Sequence, residues 1–76
     1  MSKFSKTVSL EEATIVDVVS SSLIYIGKAI PASPKSSPVW SIAKLVIDAG
    51  GGLTKTYADA SNYTQIWDNR TSLTYL

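Results

Sequence analysis

The stretch Val39–Asp59, VWSIAKLVIDAGGGLTKTYAD, decides how the chain folds. Side chains in a strand alternate between two faces. From Val39 to Asp48 one face carries Val39, Ser41, Ala43, Leu45 and Ile47, and the other carries Trp40, Ile42, Lys44, Val46 and Asp48. Neither face is cleanly polar, which predicts a strand covered on both sides over much of its length. Gly50, Gly51 and Gly52 lack a Cβ to obstruct positive φ and predict a tight reversal. Leu53–Asp59 then returns as a Thr- and Tyr-rich strand, with Leu53, Lys55, Tyr57 and Asp59 on one face and Thr54, Thr56 and Ala58 on the other. The run SIAKLVIDA also has helical spacing. Its β-branched content and the glycine stop favour the hairpin.

Outward from this hairpin, Ala13–Val19 (ATIVDVV) and Leu23–Ile30 (LIYIGKAI) read as two further strands, joined by a turn or bulge at Ser20-Ser21-Ser22. Gly27 inside a strand predicts a bulge or the close approach of another backbone. Pro31–Pro38 holds three prolines and reads as a loop between the hairpins, because proline donates no ladder hydrogen bond. After Asp59, Ser61 or Asn62 is a candidate cap for a short helical turn. It would place Tyr63, Ile66 and Trp67 on one face, with Asp68-Asn69 ending it. Thr71–Leu76 reads as a last edge strand, with Leu73 and Tyr75 on one face. The expected fold is therefore mostly β. It is a small antiparallel sheet, sandwich or barrel of about five strands, with one short helical turn near the C-terminus.

A chain of 76 residues makes one domain at most. The division expected is an N-terminal arm at 1–12 and a single β domain at 13–76. Ser9-Leu10-Glu11-Glu12 has the pattern of a capping box that would open only a short turn. So short a chain buries a modest fraction of its surface. With no cysteine, no disulfide supplements the core. Yet 45% of the residues are apolar. Small domains without staples gain stability by assembly, and some of this apolar surface is expected to lie against another chain.

The sequence offers little for chemistry. There is no histidine or cysteine, so the common nucleophile–base pairs and transition-metal sites are missing. Asp48, Asp59 and Asp68 lack the close spacing of a hard-cation loop and read as turn or cap residues. The triple glycine is not followed by the Lys-Ser or Lys-Thr and helix of a phosphate loop. The expectation is a non-enzyme with no catalytic residue, no metal and no cofactor. Net charge is +1 with scattered lysines, which argues against nucleic-acid binding. No segment reaches the roughly 20 apolar residues of a membrane helix, and the N-terminus lacks the apolar run of a signal peptide. A soluble protein made in the cytoplasm is expected.

The aromatic residues are many for this length. Phe4, Val8, Trp40, Tyr57, Tyr63, Trp67 and Tyr75 are the candidate core and contact anchors, with Phe4 and Val8 pinning the arm to a neighbouring subunit. The proline loop is a second candidate contact. Gly50, Gly51, Gly52, Asp68 and Arg70 are assigned structural roles, Arg70 by pairing with Asp59 or Asp68.

Four segments in order, Tyr25-Ile26-Gly27-Lys28-Ala29, Val39-Trp40-Ser41-Ile42, Tyr57-Ala58-Asp59 and Ile66–Tyr75 (IWDNRTSLTY), resemble small virion structural proteins of tailed bacteriophages. In those proteins YIGKA, VWxI, YADG and WDxRxSLTY segments recur in this order. The resemblance covers most of residues 23–76 and departs at Ala60, where the family often has glycine. It implies a β-rich, non-enzymatic particle component in the virion, as a capsid decoration or as a neck, tail or fibre part. Its implied partners are other virion proteins and copies of itself. The alternative class is a small β module binding single-stranded nucleic acid or peptide.

Overall fold

The computed structural model describes residues 12–76. The arm, with Phe4, Val8 and the first residues of the capping-box pattern, lies outside the described residues. The fold is mostly β, as the alternation predicts. Strands β1 (Ala13–Ser20), β2 (Leu23–Ala29), β3 (Pro38–Ile47) and β4 (Leu53–Tyr57) form an antiparallel meander in sequence order. A two-residue strand, β5 (Gln65–Ile66), joins β3 beyond the end of β4. The long β3 is thus the hub. It pairs with β2 on one edge and with β4 and then β5 along the other.

Each connection has a local cause. β1 and β2 are joined across Ser21-Ser22, with a bulge between Val18 and Ser20, as the serine run suggests. At the glycine reversal, Gly51 N–H donates to the Asp48 carbonyl at 2.9 Å and Gly51 takes φ 89°. Asp48 Oδ1 accepts from Gly52 N–H at 2.7 Å, so the aspartate locks the turn it precedes. Pro38 has no N–H to give β5, and the β3–β5 register slips between Pro38 and Trp40.

The pairing register sorts side chains onto two faces. On one lie Ile15 and Asp17 of β1, Leu23, Tyr25, Gly27 and Ala29 of β2, and Trp40, Ile42 and Lys44 of β3. This face is closed by the chain itself. A 3-10 turn, η1 (Trp67–Ser72), and the residues after it fold back over the sheet. Tyr25, Ala29, Trp40, Ile42 and Trp67 form the buried core, with Ile15, Leu23, Leu73 and Tyr75 packed around it. The two tryptophan rings meet at 6.1 Å and 45°, and Tyr25 meets Tyr75 at 5.8 Å.

Gly27 makes this closure possible. A Cβ at this position would lie 2.5 Å from Trp67 Cε3 and 2.7 Å from Cζ3. The close approach expected at Gly27 is real, but the approaching group is an indole ring rather than a backbone. Trp40 Nε1 donates to the Pro34 carbonyl at 2.9 Å and Asp68 N–H to the Lys35 carbonyl at 3.1 Å. The proline loop is therefore tied to the chain's own core.

Three local expectations need correction. The helical turn starts at Trp67, not at Ser61–Asn62, because Gln65 and Ile66 are drawn into pairing with β3. Asp68-Asn69 therefore lies inside the turn rather than ending it. Tyr63 and Trp67 do not share a face. Thr71–Leu76 is not a strand: its first two residues finish η1, and only Tyr75 bridges Ala58. Finally, Arg70 pairs with neither Asp59 nor Asp68 but with Asp17, at 2.9 Å.

Candidate interaction face

The other face of the sheet is built by the opposite parity. Val16 and Val18 of β1 lie opposite Ile26 and Ile24 of β2, which lie opposite Ala43 and Leu45 of β3. Tyr57 and Lys55 of β4 continue those two rows, and Ile47 faces Leu53 in the next. The result is an apolar band across four strands. Among the described residues the Asp59–Tyr63 segment covers one end of this band, where Ala43 is buried, and no element lies across the remainder. Val16 is 56% exposed, Val18 62% and Leu53 62%, so the band meets solvent at both margins. Isolated exposed apolar residues are ordinary, but a contiguous band marks an interaction surface.

One end of the band is concave. A cavity of about 210 Å³ is lined by Ile26, Lys28, Ser41, Ala43, Lys55, Tyr57, Ser61 and Tyr63. It is smaller than the roughly 300 Å³ at which small-molecule pockets begin. Its wall depends on an unusual turn. Asp59, Ala60 and Ser61 all have positive φ, at 53°, 53° and 68°. Non-glycine residues rarely take this left-handed geometry. The turn delivers the Ser61 carbonyl to Ser41 Oγ, which donates to it at 2.9 Å. Ser41 is the one buried polar residue of the sheet, so this bond satisfies a group that would otherwise be stranded. Tyr63 stands at the rim and its hydroxyl donates to the Glu12 carboxylate. That bond, made by the neutral phenol to an anion, holds the Tyr63 hydroxyl above the ordinary tyrosine range.

The charged side chains of the sheet cover aromatic rings. Lys55 Nζ lies 5.0 Å from the Tyr57 ring centre and Lys44 Nζ lies 5.2 Å from that of Tyr75. On the closed face Arg70 stacks 4.6 Å from the Trp67 ring centre while its Nε donates to Asp17. Arg70 also donates to the Trp67 carbonyl, and Tyr75 Oη donates to the Arg70 carbonyl at 2.7 Å. Burial pushes the Tyr75 hydroxyl up to about 12, aided by neighbouring Tyr25 and opposed by Arg70.

The anchors named from sequence therefore divide between the faces. Trp40 and Trp67 are core, and Tyr75 packs beside them. Tyr57 and Tyr63 line the open face. Gly50, Gly51 and Gly52 form the reversal, and Arg70 fastens η1 to β1. Asp68 is exposed and holds the proline loop through its backbone. Sequence reasoning missed Asp17, Lys28 and Ser41. Asp17 had a signal: it is the single charge in ATIVDVV and shares the parity of Ile15, so it had to face the core side with a partner. Among the described residues no three His, Cys, Asp or Glu side chains come together, and no helix is long and apolar enough to cross a membrane.

Comparison with protein-family models, with curated proteins and with solved structures finds no match to this chain.

Proposed function

We propose that this chain is a non-enzymatic structural component of a phage virion that acts by packing its open sheet face against a larger particle protein. The observation that carries the reading is the asymmetry of the sheet. One face is packed by the chain's own η1 around Trp40 and Ile42, and the other presents a contiguous apolar band with valines more than half exposed. Burying such a band is worth roughly 25 cal/mol per Å² of apolar area, which a domain with so small a core stands to gain. The cavity is too small for a cofactor and is lined by lysine, serine and tyrosine without a converging acid–base pair. The resemblance supports the same reading. Its four segments fall in β2, in β3, at the end of β4 and in η1 with its flanks, which together make the closed core. They bear on the scaffold, and the open face supplies the docking surface. Capsid decoration and a neck, tail or fibre position suit this geometry equally. The chain would be made in the host cytoplasm and carried in the particle.

The test is the composition and imaging of purified particles. The expected result is a fixed copy number per particle, with Leu45→Lys on the open face abolishing incorporation while the chain stays folded. Absence from particles, together with tight and steeply salt-dependent binding of single-stranded DNA, would replace the reading with a nucleic-acid module.

A further inference from the structure

The two edges of the sheet are treated differently. The β4 edge is short, only Leu53–Tyr57. Lys55 sits on it, and the chain after η1 occupies its far end, with Tyr75 bridging Ala58 and Leu76 N–H donating to the Tyr57 carbonyl at 3.1 Å. Shortness, lysine and cover are the devices that keep a sheet edge from pairing with another chain. The β1 edge has none of them. It runs for eight residues, ATIVDVVS, without proline or lysine, and among the described residues it pairs only with β2. A bulge and an inward-pointing charge are two further devices: the bulge between Val18 and Ser20 leaves Ala13–Val18 in regular register, and Asp17 has the position for the charge. Arg70 neutralises that charge within the same chain.

We infer that β1 pairs edge to edge with the β1 of a second copy, antiparallel and centred on Val16, joining two five-stranded sheets into one. The sequence of the edge selects this partner and register. An antiparallel pair centred on a residue keeps the open faces of both copies on one side. Centring on Asp17 would set two carboxylates opposite each other. Centring on Val16 sets Val16 against its own copy, Val18 against Thr14, and Asp17 against Ile15. Val16, 56% exposed, then meets its own copy across the seam, and Val18, 62% exposed, lies opposite the copy's Thr14 and diagonal to its Val16. The apolar band becomes continuous over both copies, and the two η1 caps lie together on the opposite side. The seam uses the edge and not the band, so it stands whether or not the open face docks on a particle.

Sedimentation of the full-length chain tests this. The wild type is expected to be dimeric at micromolar concentration. Val16→Lys and Val16→Glu, at a site already exposed, should each be folded by circular dichroism and dissociate at least tenfold more readily, and their equimolar mixture should recover the dimer. The chain has no cysteine, so Val16→Cys should form a disulfide with its copy on mild oxidation. Val46→Cys, 40% exposed on the other face, should not. A monomeric wild type overturns the inference. So does a dimer that tolerates both charged substitutions, which would put the contact elsewhere. Particle incorporation is measured separately and fails or succeeds on its own.

Discussion

Gly27→Ala tests the closure of the core with a single methyl group. The added carbon would lie 2.5 Å and 2.7 Å from two atoms of Trp67 and 3.3 Å from Trp40 Cε3. Comfortable carbon–carbon contact is about 3.5–4.0 Å, so the indole would have to retreat by about 1 Å. It has little room. Trp67 is 3% exposed, meets Trp40 on one flank and carries Arg70 at 4.6 Å. Overpacking of this kind costs about 1–3 kcal/mol. Replacing a strand glycine by alanine returns about 0.5–1 kcal/mol of backbone entropy. The difference spans about 0–2.5 kcal/mol, and because the indole has so little room the expected loss lies in its upper part, about 1–2 kcal/mol, which for a domain of this size lowers the midpoint by about 4–16 °C. Urea unfolding followed by tryptophan fluorescence reads it directly, since both tryptophans are core residues. Trp67→Leu removes the obstructing ring, so on that background Gly27→Ala should cost little, leaving a coupling of about 1–2 kcal/mol. A Gly27→Ala chain as stable as the parent, or two substitutions that simply add, would refute the packing described for this face.

Three further outcomes follow from the same geometry. Ala60→Gly should raise stability by about 0.5–1 kcal/mol, seen as a higher melting temperature, because φ 53° strains alanine and suits glycine. Arg70→Ala should lose about 1–2 kcal/mol in urea unfolding through its ring stack and its bond to Asp17, whereas Asp17→Asn should lose about 0.5–1 kcal/mol. The gap between the two should persist in high salt, because the stacking half is short-range and partly buried and so is screened much less. The Tyr75 hydroxyl is raised in the folded chain from 10.0 to about 12, so the folded state holds its proton where the unfolded state releases it. Stability is therefore full below about pH 10 and falls between about 10 and 12. Tyr75→Phe should flatten that fall in alkaline melts and remove a late-ionising tyrosine from the ultraviolet titration.

The hairpins were readable because their signals are local. The β-branched content of KLVI, the triple glycine and the Ser20–Ser22 run each act within a few residues, and β3 and β4 form where these predict. What sequence could not yield was contact across the chain. Asp17 meets Arg70 over a separation of 53 residues, and nothing near Arg70 distinguishes it from the closer Asp59 and Asp68. The helical spacing of Tyr63, Ile66 and Trp67 pointed the wrong way because β3 had unpaired edge left for Gln65 and Ile66, and tertiary pairing overrode local preference. The positive φ at Ala60 carries no local signal in the sequence, since alanine does not announce a left-handed turn.

The meander pairs each strand with the one before it, so its hairpins can form on local contacts before Trp67 docks. During that interval the molecule is a ribbon with grease on both sides. Trp40 then waits for a lid encoded 27 residues downstream. Anything that delays the docking of Trp67 would lengthen the interval and favour aggregation in the newborn chain.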